Sequence, residues 1–308
     1  KPPKLFILAG AVLASLFLFV SIVYNNFIQK SIYEENSQHL LSTYEQVDKT
    51  FTMFVQHNWN ALSDWSNNLQ YLDDAENMKT LWYEFARRKD AWQYQDFYMF
   101  NENCDFITAA GRDGNAPNIQ GIFLDMYKTG QPVISSYIAS DSNRRIVFAL
   151  PMDVPYTING ITYSGLAVSY NNDVVEKLIA GNIYQGQSDC YILTSDGNVL
   201  LSLEPKTEFL QHISNLFDFL NKYTDMTETE ITDLKKNIKN VSTGSLQCRY
   251  NNKNYYLVYE PTGINDWTIV GIIHNDVVDA SMRRIQFITI VLLLILNGCI
   301  ALLLTGTV

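Results

Sequence analysis

The chain has 308 residues, with 22 Lys and Arg against 32 Asp and Glu, 47% apolar and 18% charged. The charged share is below the roughly 25% of ordinary soluble domains, and the apolar supply is large enough to build cores, which excludes a disordered chain. A net charge of −10 repels phosphate and disfavours nucleic acid as a partner. The charge is also unevenly placed. Residues 1–24 hold only Lys1 and Lys4 and residues 285–308 hold none, so residues 25–284 carry all 32 acids and 20 of the bases, a net of −12. This pattern predicts a membrane protein with a water-soluble centre.

Leu5–Tyr24 is twenty residues without a charge, and at helical rise it reaches about 30 Å, the thickness of a bilayer's hydrocarbon core. The run exceeds a typical signal-peptide core and no small-x-small site follows it, so it reads as an uncleaved anchor. Ile285–Val308 predicts a second span. Lys1 and Lys4 place the N-terminus in the cytoplasm, which puts residues 25–284 outside the cell. Arg283 and Arg284 then lie on the outer side of the second span, where they would snorkel to the headgroups. The chain stops at Val308 with no cytoplasmic flank, which reads as a fragment of a longer protein.

Residues 25–92 lack Pro and Gly. Leu40, Tyr44, Val47, Phe51, Phe54, Asn58, Ala61, Trp65, Asn68 and Leu72 alternate by four and three, a heptad seam that Val55, Trp59, Leu62 and Leu69 widen. It predicts a stalk helix over 25–72 that packs on its own domain, on a twin helix across a homodimer, or on both. A short helix over Ala75–Arg88 follows.

From Trp92 the period becomes that of strands. Trp92–Phe100 and Phe106–Ala110 flank a turn at Asn101–Asn103, and Asp189–Thr194 and Asn198–Leu203 flank Ser195-Asp196-Gly197. The two hairpins are alike: Phe97–Thr108 lies over Cys190–Leu201, with Cys104 where the second copy has Gly197. Arg145–Pro151 then matches Tyr255–Pro261, and Asn172-Asp173-Val174-Val175 matches Asn275-Asp276-Val277-Val278. Three landmarks recurring in one order predict two copies of one α+β module, each a hairpin, helices and a three-strand meander. The second copy ends at Asp276–Arg284, which runs directly into the second span.

Signatures of catalysis are missing: there is no G-x-S-x-G, H-E-x-x-H, Walker A or G-x-G-x-x-G. His39, His57, His212 and His274 are scattered, so no metal and no cofactor is expected. Cys104, Cys190 and Cys248 allow at most one disulfide, with Cys190–Cys248 the candidate pair and three buried thiols the alternative. The first module does carry ligand-suited groups. Trp92, Tyr94, Tyr98 and Tyr163 are amphipathic rings that can line a pocket and still offer a hydrogen bond, although rings at strand spacing also build cores. Arg112, Arg144 or Arg145 could clamp a carboxylate. The second module has Tyr255, Tyr256 and Tyr259, with Arg249 as its one arginine before the Arg283-Arg284 pair.

Phe97–Thr108, Phe148–Asp153, Thr162–Asn172, Tyr191–Gly197, Tyr255–Pro261 and Asp266-Trp267 together resemble the extracytoplasmic sensor region of bacterial receptors with double Cache (tandem PAS-like) domains. Among these the chain looks most like the sensor half of hybrid histidine kinases from Firmicutes, over nearly all of 25–284. The resemblance implies an α+β fold: a long N-terminal stalk helix with two tandem PAS-like modules, flanked by two transmembrane helices. It implies a cytoplasmic tip and first transmembrane helix at 1–24, the stalk at 25–72, a membrane-distal module at 73–172, a membrane-proximal module at 173–284 and a second transmembrane helix at 285–308. The distal module would hold a small-molecule ligand, an anionic one fitting the arginines, and the proximal module would relay to the second span. Amino-acid-binding members carry an Arg-x-Trp-Tyr cluster and a downstream Asp; Arg88, Trp92, Tyr94 and Asp153 are the nearest residues here, and their spacing departs from that pattern. The ligand-binding set expected is Trp92, Tyr94, Tyr98, Arg145, Phe148, Asp153 and Tyr163. The implied function is small-ligand sensing for a transmembrane receptor of the bacterial cell membrane, a homodimeric sensor histidine kinase of a two-component system. The alternatives are the same sensor on a diguanylate cyclase or chemoreceptor, and a membrane-anchored scaffold without output.

Overall fold

The computed structural model describes residues 4–69, 93–116, 120–139, 141–180, 183–202, 213–279 and 287–292, with Tyr83, Arg87 and Ile295. One helix, α1 (Lys4–Leu69), runs unbroken for 66 residues, as expected of a segment with no Pro and no Gly beyond Gly10. Leu40, Tyr44, Val47, Phe51, Val55, Asn58, Leu62, Ser66 and Leu69 are its buried stripe. These steps of four, three and four repeat every eleven residues, not every seven. Beyond Phe51 the expected heptad therefore keeps only Asn58 among the described positions: Phe54, Ala61 and Trp65 are only half-buried and Asn68 is exposed. A heptad holds its face only where helices supercoil, and a straight helix drifts about 20° per heptad away from it. The partner of α1 is flat: two β-sheets of its own chain. Leu72 and most of the helix expected at Ala75–Arg88 lie outside the described residues, although Tyr83 and Arg87 are helical.

The first sheet contains β1 (Asp96–Phe100), β2 (Asp105–Thr108), β3 (Asp113–Asn115), β4 (Val133–Ile138), β5 (Arg144–Ile158) and β6 (Ile161–Asn171), with α2 (Gln120–Thr129) between β3 and β4. After α3 (Asn172–Ala180) the second contains β7 (Ser188–Leu193), β8 (Val199–Ser202), β9 (Gly244–Tyr250), β10 (Lys253–Pro261) and β11 (Thr268–His274). Two helices, α4 (Leu216–Tyr223) and α5 (Glu228–Lys239), precede β9, and α6 (Asn275–Val278) follows β11. The sheet orders are β3-β2-β1-β6-β5-β4 and β8-β7-β11-β10-β9. Apart from the added β3 they are the same meander, antiparallel throughout. The hairpin β1–β2 turns through Cys104 at φ 64° and β7–β8 through Gly197 at φ 83°, so one left-handed position closes both copies. Only Gly adopts that conformation without strain.

The second sheet is covered on both faces, and the first on one face and part of the other. The α1 face forms one continuous core across both sheets. Tyr33 stacks on Tyr256 at 6.0 Å and Phe51 on Trp267 at 6.2 Å in the second sheet, whereas Phe54 meets Phe148 at 5.4 Å and Trp65 meets Phe97 at 6.4 Å in the first. On the far faces, α2 seals part of the first sheet with Phe123 and Met126, and α4 and α5 seal the second with Leu216, Phe217, Leu220, Ile231, Leu234 and Ile238. Helix α5 begins at a capping box, Thr227 and Glu230 exchanging bonds. Cys104, Cys190 and Cys248 are buried free thiols. Cys190 and Cys248 belong to cores on opposite faces of the second sheet, which excludes the candidate pair.

One polar pair joins α1 to the first sheet. The Tyr170 hydroxyl donates to Asn58 Oδ1 at 2.7 Å, and Asn58 Nδ2 donates to the Phe54 carbonyl at 2.9 Å. Tyr170→Phe would leave a buried amide oxygen unpaired, a loss of about 1–3 kcal/mol. A lowered denaturant midpoint at unchanged slope is the expected result, and Asn58→Leu on the same background should recover part of it.

Among the described residues no helix is long and apolar enough to cross a membrane. The spans expected at 5–24 and 285–308 fall mostly on residues or side chains outside those described. Where side chains are described there, Phe19, Ile22, Val23, Phe287, Ile288, Ile290 and Leu292 are exposed.

Candidate functional site

The far face of the first sheet is only partly covered by α2, and the remainder opens into a cavity of about 390 Å³ lined by Asp96, Tyr98, Arg112, Asp113, Tyr137 and Arg145 among others. Strand alternation places Asp96, Tyr98, Tyr137 and Arg145 there, and the β2–β3 edge adds Arg112 and Asp113. Asp96, Tyr98 and Phe100 share one face of β1, Phe97 and Met99 the other, and Arg145 shares a face of β5 with Val147 and Ala149. Tyr137 is the direct cross-strand partner of Arg145.

Asp96 is the hub. Its carboxylate accepts from Arg112 Nη2 at 2.9 Å and from Arg145 Nη1 at 3.3 Å, and Arg145 Nη2 donates to Asp141 at 2.7 Å. The Arg145 side chain is 14% exposed and Arg112 69%. Arg145 is thus a built-in cation, whereas Arg112 sits at the rim, where an ion pair contributes little and can be exchanged. Burial works against the Arg145 charge, but Tyr137 and Asp141 outweigh it and hold the guanidinium above its ordinary pKa. Burial, aided by Tyr137 and Asp96, raises the Tyr98 phenol well above its ordinary value, so it stays protonated and can donate. The Asn143 amide, with Arg145 assisting, lowers Asp141.

The polar capacity of this face is not used up. Tyr98 Oη, Arg145 Nε, Ser169 Oγ and Asn171 Oδ1 are buried with no hydrogen-bond partner in bonding geometry. Ser169 pairs across the sheet with Asp96, and Asn171 with Arg145, so the four atoms gather on one patch. Buried polar groups are normally satisfied. A cluster of unsatisfied donors and acceptors beside charged residues is what a polar ligand would complete.

The second copy is an internal control. Asp189 and Tyr191 stand where the first copy has Asp96 and Tyr98, since Asp189 pairs with Ile272 as Asp96 pairs with Ser169. The rest of the patch is replaced. Tyr255, paired with His274, occupies the place of Arg145, which is paired with Asn171, and Ile272 the place of Ser169. Phe217, Ile231 and Leu234 fill the space above. The duplicated framework thus holds a charged cavity in one copy and a packed core in the other.

Of the residues expected to bind ligand, Tyr98 and Arg145 line the cavity. Phe148, Tyr94 and Tyr163 are buried on the opposite face, in the core that α1 covers. Asp153 is exposed on β5 beyond Pro151, where the pairing with β6 shifts register. Trp92 lies outside the described residues. Of the candidate clamps, Arg112 and Arg145 face the cavity, and Arg144 points away to β8. Asp96 was hidden in the aromatic run Trp92–Phe100. Its match with Asp189, set against the mismatch of Arg145 with Tyr255, was the sequence signal that could have exposed it. Among the described residues no cluster of His, Cys, Asp and Glu could hold a metal ion.

No protein-family model and no curated protein matches the chain. Solved structures do match. The sensory domain of the Campylobacter jejuni chemoreceptor Tlp3 with isoleucine bound has a TM-score of 0.54 at 11% identity, covering 82% of this chain and 98% of that one. The extracellular domain of the histidine kinase mmHK1S-Z3 gives 0.55 at 13%, covering 83% and 97%. The ligand-binding domain of the Pseudomonas aeruginosa PAO1 amino-acid chemoreceptor PctC with GABA gives 0.52 at 10%, covering 78% and 99%. At these identities the likeness is one of fold.

Proposed function

From the double-Cache fold of these sensory domains as premise, we propose that the chain is the extracytoplasmic ligand-sensing region of a transmembrane signalling receptor of the bacterial cell membrane. Its modules are 73–172 and 173–284, its spans 1–24 and 285–308, and it acts as a homodimer. The observation that carries the reading is the Asp96–Arg112–Arg145 cavity, lined by the unsatisfied Tyr98 Oη and Arg145 Nε, with Ser169 and Asn171 on the same sheet face. Alternating acid and base in one small cavity suits a ligand bearing a carboxylate, with or without an amine: Arg145 and Tyr98 would take the carboxylate, and Asp96 or Asp113 an amine. The isoleucine and GABA of the Tlp3 and PctC structures have that chemistry.

Chain continuity supports transmission. Asn36 of α1 donates to Asp279 at 2.6 Å, which ties the helix leading out of the first span to the segment leading into the second. The exposed apolar residues at both ends support the membrane placement. The output is a sensor histidine kinase in the first reading and a chemoreceptor in the second, which the Tlp3 and PctC likeness favours. Reading the full gene separates these from a diguanylate cyclase or a scaffold.

A thermal-shift screen with L-isoleucine, L-glutamine, GABA and simple carboxylates tests the ligand site. A ligand at a hundred times its dissociation constant adds about 2.7 kcal/mol, and Arg145→Ala should abolish that gain while its circular dichroism stays native. A gain that survives in Arg145→Ala would remove the ligand from this cavity.

A further inference from the structure

Two side-chain hydrogen-bond bridges between the sheets land on one hairpin. Arg144 Nη1 at the start of β5 donates to the carbonyls of Val199 and Leu200 in β8, at 2.9 and 3.2 Å. From the other side, Asn265 Nδ2 in the β10–β11 turn donates to the Ile134 carbonyl of β4 at 3.1 Å. The β4–β5 hairpin also forms one wall of the cavity: Tyr137 and Arg145 are cross-strand partners on its inner face, and Asp141 in its turn holds Arg145. Arg144 and Arg145 are successive residues of one strand and so point to opposite sides. One reaches into the cavity and the other into the second sheet.

The contact in the second sheet has a character of its own. Ile192 pairs with Leu201 and Leu193 with Val199, which leaves Leu200 as an extra residue in the edge strand. The Arg144 guanidinium caps this bulge. A bulge can re-aim a strand or slip its register, and bulges gather beside functional sites. Strand β8 pairs with β7, β7 with β11, and β11 runs on into α6 toward residues 285–308.

We propose that Arg144 is the residue that couples the cavity to the second sheet: a change in how Arg145 is held shifts β5, and Arg144 passes that shift to the Leu200 bulge. This rests on the cavity being the ligand site, although its test needs no ligand. Coupling between sites is reciprocal, so a cavity mutation should be felt at β8 and an Arg144 mutation at the cavity.

The experiment is amide hydrogen exchange on the full chain for wild type, Asp96→Asn, Arg144→Ala and the double variant. Asp96→Asn keeps the side chain's shape but removes the charge that pairs with Arg145 and Arg112. It should change exchange in residues 193–202 by at least about fivefold, the low end of usual couplings, and the change should vanish in the Arg144→Ala background. Reciprocally, Arg144→Ala should alter exchange in β1 and β2. A purely structural Arg144 would raise β8 exchange by itself yet leave the Asp96→Asn increment intact, and that result overturns the proposal. So does an Asp96→Asn variant with unchanged β8. If Arg144→Ala does not fold, Arg144→Lys keeps the cation without the guanidinium fork and replaces it in the same cycle. If no ligand is ever found for the cavity, the exchange result stands apart, because it measures the coupling alone.

Discussion

Adding a single methyl group at Gly271 is expected to lower the thermal midpoint by about 2–12 °C, from an overpacking cost of about 1–3 kcal/mol in a unit of this size. Gly271 lies on β11 beneath Tyr44 of α1, and a Cβ there would fall within the Tyr44 ring. Tyr44 is fully buried, so it has no free space to retreat into. The strain must be taken up by lifting α1 away from the second sheet, and because α1 joins both sheets through one core, the loss should be global and cooperative. Gly271→Ala with Tyr44→Leu should lose less than the two single changes summed, as contacting residues do. An alanine tolerated within a degree would mean that Tyr44 does not seat on Gly271.

The second large effect is a stability that falls as pH rises. Burial raises Asp48 to about 6, with Glu45 adding to it against Thr52 and Lys49, and burial raises Glu260 to about 7, with Asp48 and Glu45 adding to it. Asp48 lies on α1, and Glu260 lies on the α1 face of β10, the face of Tyr256 and Val258. Asp48 Oδ1 is buried without a hydrogen-bond partner. Both folded-state values lie above the unfolded ones, so the folded state binds more protons and the contribution is fully present only below about pH 4. It is lost between that point and about pH 7, as each group ionises in the fold. Asp105, Asp141, Glu230 and Asp266 shift the other way, lowered by hydrogen bonds from Asn115, the Asn143 amide, the Thr227 amide and Ser195. Their contributions fade only below this window. The expected result is a higher thermal midpoint at pH 5.5 than at pH 8. The double variant Asp48→Asn, Glu260→Gln should be flatter across that range and more stable at pH 8. A wild-type midpoint that rises with pH, or a double variant that keeps the slope, contradicts the assignment.

What could be read from the residues followed what a chain repeats. The duplication was legible because the Phe97 and Cys190 hairpins, the Arg145 and Tyr255 strands and the two Asn-Asp-Val-Val segments are local, and the structure gives both copies the same strand order. The faces were harder. Arg145 and Phe148 are three residues apart, so on one strand they could not share a pocket, and the odd spacing was the available clue. Tyr94 belonged by spacing with Tyr98, but Gln93 at φ 57° and the start of β1 at Asp96 break the alternation. Which face α1 would cover depended on a helix tens of residues away, and no local pattern reports that. The same non-local choice turned the heptad through Phe54 and Trp65 into an eleven-residue stripe through Val55 and Leu62. The cavity depended on what is missing above it, and only the contrast between copies, Arg145 against Tyr255 and Ser169 against Ile272, carried that information.

The most direct measurement is a crystal structure of the chain with whichever small carboxylate stabilises it most. The account predicts density in the first-sheet cavity, with the ligand carboxylate within hydrogen-bond reach of Arg145 and Tyr98 and any amine facing Asp96 or Asp113. A ligand bound on the second sheet, or against α1, with the Asp96–Arg145 pair unchanged would contradict it.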